Sequence, residues 1–168
     1  MSITTKNITV NQIKSIFNDF HVRHPQLNSF YFGEIDEVDK QTYIYPLFAA
    51  IPQDVVISEA PNQNRTITHN YSLLFADKVI PSTNNKTEVL SDMLQVAQDY
   101  ISEVNQSRFY NTNYLTNTSQ INITPFTDKF DDVVTGWAMN FTIQAPFLQS
   151  TCTNPQTTIT DILINSSC

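Results

Sequence analysis

Glycine is scarce in this chain, and its scarcity limits the chemistry that the chain can carry. Only 2 of the 168 residues are glycine, whereas average usage near 7% would give about a dozen. Glycine supplies the positive φ angles of tight turns and of the loops that cradle phosphate groups. We therefore expect few such turns and no glycine-rich nucleotide-binding loop.

Positive charge and long apolar runs are also in short supply. Lys and Arg number 9 against 16 Asp and Glu, so the formal net charge is −7. An acidic chain does not wrap nucleic acid by neutralising phosphates, although it can line a channel through which DNA slides without adhering. No apolar run reaches the length that a membrane crossing needs, so we predict no membrane contact.

Cysteine provides no framework for folding or for metal binding. The 2 cysteines, Cys152 and Cys168, lie near the C-terminus, and no Cys-x-x-Cys spacing supports a zinc or redox site. The opening residues, MSITTKNITV, contain neither the basic nor the apolar region of a secretory signal. We therefore expect a cytoplasmic site of synthesis, where both thiols stay reduced.

Threonine and asparagine take the place of charge on the surface. The chain has 20 Thr and 17 Asn, while only 15% of its residues are charged. Such a surface suits strands and loops better than helices. With 40% hydrophobic residues, the chain is long enough for one domain with one sizeable core.

Two segments have the periodicity of amphipathic helices. The first runs from about Val10 to Arg23, where Thr9 and Gln12 fit a capping box. The second covers residues 86–105, with Asn85 as a reasonable N-cap. The apolar stripe of this second helix comprises Val89, Leu90, Met93, Leu94, Ala97, Tyr100, Ile101 and Val104.

Strand patterns occupy much of the remaining chain. Residues 65–79 and 133–147 alternate between apolar and polar side chains, as strands with one buried face do. Residues 119–126 also alternate, and we expect them to form a hairpin with 133–147. Residues 42–52 are apolar on both faces, which indicates a strand inside the sheet. Residues 53–64 show no clear period, so we interpret them as a loop with a few extended residues.

The order helix, strands, helix, strands predicts an α+β fold. We expect an antiparallel sheet of four to five strands with the two helices packed on one face. Residues 1–147 form this single domain, and residues 1–8 are an N-terminal arm. Residues 148–168 are polar and irregular, so we predict a C-terminal tail that acts as an interaction arm.

The three histidines are the main candidates for chemistry, and each has a simpler interpretation. His21 and His24 have a spacing that can bind a metal on one helical face, but no third ligand stands out; polar residues beside a helix C-terminus are the favoured interpretation. His69 lies on the apolar face of a strand, and no nucleophile motif accompanies it. We favour a hydrogen-bonded histidine at the rim of the core, and we predict no catalytic residue, no metal and no cofactor.

Apolar residues outside the periodic segments are the candidate protein–protein contacts. An aromatic set lies in a polar loop, where it either contacts a partner or folds back on its own domain. An aliphatic set lies in the C-terminal tail, where it buries too little surface to order the tail alone. The two sets are Phe109, Tyr110 and Tyr114 in the loop, and Ile159, Ile162, Leu163 and Ile164 in the tail.

Several segments of the sequence resemble a family of small phage proteins. They are HPQLNSFYFGEIDEV, TYIYPLFAAIPQ, YSLLFADKV and TEVLSDMLQVAQDYISEV. These segments are similar to the neck and ring proteins of crAss-like tailed bacteriophages. The order of helices and strands is also similar to that of phage tail-terminator and tail-completion proteins. The resemblance covers about residues 20–147.

The resemblance implies a structural protein of the virion neck or tail, assembled in the bacterial host cytoplasm. Such proteins form homo-oligomeric rings, commonly dodecamers or hexamers, around the DNA channel. The implied partners are further copies of the chain and the adjacent portal, ring or tail proteins, while DNA passes without specific binding. The alternative is a cytoplasmic small-ligand binding module, or an enzyme that uses the sheet as a cup around His69.

Overall fold

A computed structural model of the chain describes residues 8–34, 43–59, 65–80, 82–106, 115–116, 121–129 and 133–147. The described residues contain two long helices and a sheet, which confirms the α+β class. In chain order the elements are α1 (Val10–Arg23), β1 (Ser29–Phe32), β2 (Leu47–Glu59), β3 (Arg65–Lys78), α2 (Lys86–Gln106), β4 (Leu115–Thr116), β5 (Ile123–Lys129) and β6 (Val133–Pro146).

Helix α1 begins and ends at the predicted residues, because the sequence contains the residues that cap it at both ends. The Gln12 backbone N–H donates to the Thr9 hydroxyl at 3.3 Å, and the Thr9 N–H donates to the Gln12 side chain at 2.8 Å. This reciprocal pair is the predicted capping box. At the other end, His24 has an extended backbone, as expected for a residue that precedes proline.

The sheet is mostly antiparallel but mixed. Its strands lie in the order β1-β2-β3-β6-β4, and β5 also pairs with β6, which gives six strands within the described residues. The strand β1 runs parallel to β2, whereas every other pair is antiparallel. The pair of β5 and β6 is the predicted hairpin. The sheet therefore differs from the expected one by a parallel strand and by the two-residue β4.

Aromatic side chains connect both helices to the same strand residues. Phe17 of α1 and Tyr100 of α2 each contact Phe48 of β2 and Phe141 of β6, with ring centroids between 5.3 and 6.2 Å apart. Each aromatic pair of this kind adds about 0.5–1.5 kcal/mol to the burial of its area. These contacts lie in the main core, which also contains Ile13, Phe20, Leu73, Phe75, Met93, Met139 and Ile143.

Helix α2 is buried along a narrower face than its sequence predicts. Leu90, Leu94 and Ile101 belong to the predicted apolar stripe but are only partly buried. Val96, which the prediction omitted, is fully buried. The buried face consists of Val89, Met93, Val96, Ala97, Tyr100 and Val104.

Gly136 occupies a position in β6 that no larger residue fits. A Cβ atom there would lie 1.9 Å from the Phe75 carbonyl oxygen and 2.9 Å from the Ala76 Cα. Gly136 is also directly opposite Ala76 of β3 in the ladder. The close approach of the β3 and β6 backbones therefore requires glycine, although the chain has only one other.

The strand β2 is longer than predicted. Residues 53–64 were expected to form a loop with a few extended residues, but residues 53–59 continue the strand and pair with β3 as far as Glu59 and Arg65. A β-bulge between Pro52 and Val55 shifts the register by one residue. The bulge shifts the phase of the strand, and the residues beyond it are exposed on both faces, so these residues did not show the alternation of a half-buried strand.

Candidate assembly surface

The strand β2 changes character at Pro52. Its first five residues, 47–51, are buried, whereas all of residues 52–59 are exposed. The same strand therefore begins inside the core and ends in solvent. We call residues 52–59 the β2 arm.

The outer edge of the β2 arm is open in the part of the chain that the structure describes. The neighbouring strand β1 pairs with β2 only from Leu47 to Ala50. The Gly33 N–H donates to the Ala50 carbonyl at 3.4 Å and is the last such contact along this edge. Beyond it, the arm pairs with β3 alone. Unpaired backbone groups on a strand edge are a template for another strand.

The register shows which backbone groups the open edge presents. The Arg65 carbonyl accepts a hydrogen bond from the Phe147 N–H on the β6 side of β3. Because bonding directions alternate along a strand, Thr68 of β3 bonds toward β2, and its partner is Val56. Val55 and Ile57 therefore direct their N–H and C=O groups outward.

The arm also exposes apolar side chains on both of its faces. Val55 is 53% exposed, Val56 45% and Ile57 53%. Alternation places Val55 and Ile57 on one face and Val56 on the other. Isolated exposed apolar residues are common on protein surfaces, but three consecutive ones on an open edge indicate a contact surface.

Features that protect strand edges are confined to the base of the arm. Natural edges are blocked by lysine, proline or bulges. The only proline of the arm is Pro52, and the bulge follows it directly. Residues 53–59 contain no Lys or Arg, and their charges are Asp54 and Glu59. Among the described residues, the segment from Val55 onward therefore lacks these three kinds of protection.

Polar side chains hold the arm to the rest of the sheet. The Asn70 amide donates to the Asp54 carboxylate at 3.1 Å, and the Thr142 hydroxyl donates to the Asn70 oxygen at 2.9 Å. Farther along, the Thr66 hydroxyl contacts the Ser58 hydroxyl at 3.0 Å and accepts from Gln144 at 3.2 Å. These chains cross β2, β3 and β6. They give the abundant Asn and Thr a structural role and fix the position of the arm.

A shallow groove beside the bulge does not include the histidine of the predicted cup. Its lining brings polar groups together, but Asn70 bonds both Asp54 and Thr142, so these groups satisfy one another instead of converging on a ligand. The groove has a volume of about 320 Å³ and is lined by Gln53, Asp54, Asn70, Tyr71, Asn140, Phe141 and Thr142.

His69 is buried in the core and is only 4% exposed. It lies between Val55 and Ile143 in the ladder, and neither ring nitrogen has a hydrogen-bond partner among the described residues. Burial lowers the pKa of this imidazole below its usual 6.5, because a charged ring would lose its hydration. The predicted core position agrees with this burial, but the expected hydrogen bond is not seen in the described part of the chain.

The other two histidines have separate surroundings. The His21 ring stacks on Phe30 with centroids 6.1 Å apart. His24 lies beyond the helix end, where its Nε2 atom is 3.3 Å from a carboxylate oxygen of Asp99. No group of three or more His, Cys, Asp or Glu that could hold a metal occurs in the part of the chain that the structure describes.

The predicted contact residues lie outside the described residues. This holds for the aromatic loop set, for the aliphatic tail set and for both cysteines. The β2 arm, in contrast, was not predicted. Its signal was the β-branched triplet Val55, Val56 and Ile57 within QDVVISEAPNQN, because β-branched residues favour strands. The residues outside the description are Phe109, Tyr110, Tyr114, Cys152, Ile159, Ile162, Leu163, Ile164 and Cys168.

The chain matches no protein-family model and no curated protein. Among the described residues, no helix has both the length and the apolar character needed to cross a membrane.

Proposed function

We propose that the chain is a structural subunit of a tailed bacteriophage virion. It forms a homo-oligomeric ring in the neck, where it joins portal and head to tail around the DNA channel. The observation that carries this proposal is the β2 arm, an exposed strand with an open edge and three exposed β-branched side chains. Such edges bind other protein chains by adding strands.

The general and the specific parts of the proposal have different support. Assembly with other protein chains is supported by the geometry of the β2 arm. The bacteriophage neck is supported by the four sequence segments that resemble neck and ring proteins. The first of these segments contains β1, and the second contains the buried half of β2.

The charge of the chain fits a role beside DNA. The net charge is −7, and a surface of that sign repels phosphates instead of binding them. Passage through a channel requires such weak contact. We expect the purified chain not to bind double-stranded DNA at about 0.15 M salt. Strong contacts to phosphate are still measurable at this ionic strength, despite screening by the salt.

The size of the assembled particle tests the proposed function. The full-length chain, concentrated and also mixed with portal and neighbouring neck proteins, should form particles with rotational symmetry in negative-stain images. A closed ring needs a head-to-tail contact that repeats about one axis. Finding no particle larger than a dimer under either condition would overturn the proposal.

Removal of the C-terminal tail tests where the ring contacts lie. The main core that the described residues form runs from Ile8 to Ala145, and β6 ends at Pro146. A chain that ends at Phe147 should therefore fold with near-native circular dichroism but fail to join its ring. Normal ring formation would show that the tail is dispensable, and loss of the fold would show that the tail belongs to the core.

A further inference from the structure

The open edge of the β2 arm is suited to a second copy of itself. Val55 and Ile57 direct backbone N–H and C=O groups outward, and two such edges can pair antiparallel. We propose that the free chain is a dimer in which two β2 arms pair about a two-fold axis at Val56. The two sheets then join into one continuous sheet through the arms.

Backbone geometry limits the possible registers. Hydrogen bonds form across the axis only if outward-directed residues oppose each other, so the axis passes through a residue and not between two residues. Within the exposed β-branched triplet it passes through Val55, Val56 or Ile57. An axis at Ile57 places Val55 opposite Glu59. An axis at Val55 places Ile57 opposite Gln53. Only an axis at Val56 places Val55 opposite Ile57 of the second copy, and Val56 opposite itself.

The same register avoids opposing like charges. With the axis at Val56, Asp54 lies opposite Ser58 and Glu59 lies opposite Gln53, so no two carboxylates face each other. Both acids also have partners within their own chain. Asp54 accepts from Asn70 at 3.1 Å, and Glu59 lies 3.7 Å from the Arg65 guanidinium. The arm therefore needs no basic partner strand, which favours a second copy as its occupant.

This inference rests on the self-association in the proposed function but concerns a different contact. A two-fold contact closes on itself, whereas the contact that repeats around a ring is head-to-tail. The arm-to-arm pair is therefore the state of the free chain, in which the apolar edge is covered before assembly. Ring assembly exchanges it for contacts with ring neighbours.

Cysteine at the axis gives a direct test. Directly opposed residues in a non-hydrogen-bonded pair have Cα atoms about 4.5 Å apart, which lies within the range that a disulfide spans. Val56→Cys, in a full-length chain with Cys152→Ser and Cys168→Ser, should form disulfide-linked dimers under a mild oxidant. We expect this to be about tenfold faster than for Val22→Cys, an exposed position on α1 outside the arm.

A second set of variants tests which residues of the two arms face each other. With the axis at Val56, two Val55→Cys chains place their cysteines on a diagonal of about 7–8 Å, which is too far apart for efficient linkage. A mixture of Val55→Cys and Ile57→Cys chains should form mixed dimers. Faster linkage of Val55→Cys with itself than of Val56→Cys would overturn the register and with it the proposal.

A measurement on chains without the introduced cysteines tests the dimer even if the cysteine variants misfold. Sedimentation of the wild-type chain should show a dimer that Val56→Lys converts to monomers, while Val22→Lys leaves the dimer intact. Unlinked Val56→Cys chains with native circular dichroism, or a Val56→Lys chain that remains a dimer, would overturn the arm-to-arm pair. Rings that form without Val56 linkage would leave the proposed function intact. A wild-type chain that is monomeric by itself at every concentration, but forms rings with portal and neck proteins, would overturn the arm-to-arm pair alone.

Discussion

The two halves of β2 belong to one strand but differ in pairing and in burial. Residues 47–51 are paired on both sides over most of their length and are buried on both faces. Within the described part of the chain, residues 52–59 are paired with β3 only, and they are exposed on both faces. The first half is entirely apolar, whereas the second half combines its β-branched triplet with polar residues, which are Gln53, Asp54, Ser58 and Glu59. Their difference therefore arises from composition as well as from what surrounds each half.

The comparison shows how the fold separates stability from contact. Phe48 contacts rings of both helices, so the first half stabilises the domain. Val56, in contrast, leaves 45% of its surface in solvent. The β-bulge after Pro52 marks the boundary between the two roles, because it shifts the register where burial ends.

The largest loss of stability should follow from a substitution in the buried half of β2. Phe48 is fully buried and stacks on Phe75 with ring centroids 5.0 Å apart. Phe48→Ala should lower the free energy of unfolding by about 3–5 kcal/mol, through lost burial and the cavity left behind. Denaturant unfolding measures this change. A variant that unfolds like the wild type would show that the two halves do not differ as described.

The sequence predicted the helices and the hairpin well because their signals are local. The capping box at Thr9 fixes the start of α1, and alternation along residues 133–147 identifies β6. The parallel pairing of β1 with β2 was not predictable in this way. It depends on a contact between segments that residues 33–46 separate in the sequence, and no periodicity encodes strand direction.

The candidate surface was harder to predict than the fold. A bulge changes which residues share a face, and residues 52–59 are exposed on both faces, so residues 53–59 lack the alternation that identifies a half-buried strand. The open edge depends on where β1 ends, and only the three-dimensional pairing shows that β1 covers β2 as far as Ala50. Composition alone did reveal the β-branched triplet, but it did not indicate exposure.

An intermediate effect on stability should follow from a substitution of His69, which lies opposite Val55 near the boundary between the two halves of β2. Its folded-state pKa lies below the unfolded value of 6.5, so the unfolded chain takes up the proton first. Stability is therefore fully present above about pH 6.5 and falls as the pH decreases toward the folded pKa, by at most about 1.4 kcal/mol per pH unit.

Replacing His69 by leucine removes this pH dependence. His69→Leu should be at least as stable as the wild type near neutral pH, because both ring nitrogens lack partners among the described residues. Below about pH 6.5, the difference between variant and wild type should grow. His21 and His24 are present in both chains, so their titration cancels in the comparison. Parallel pH profiles of the two melting temperatures would contradict the expected role of burial.

The smallest effect on folding should come from the exposed half. Val56→Thr keeps the β-branched side chain that suits a strand but removes part of the exposed apolar surface. At a protein concentration where the chain is monomeric, its free energy of unfolding should stay within about 0.5 kcal/mol of the wild-type value. Denaturant unfolding of Val56→Thr and of Phe48→Ala under the same conditions compares the two halves of one strand. A loss of more than about 1 kcal/mol, beyond what surface substitutions cause, would mean that Val56 is buried in the monomer and that the arm belongs to the core.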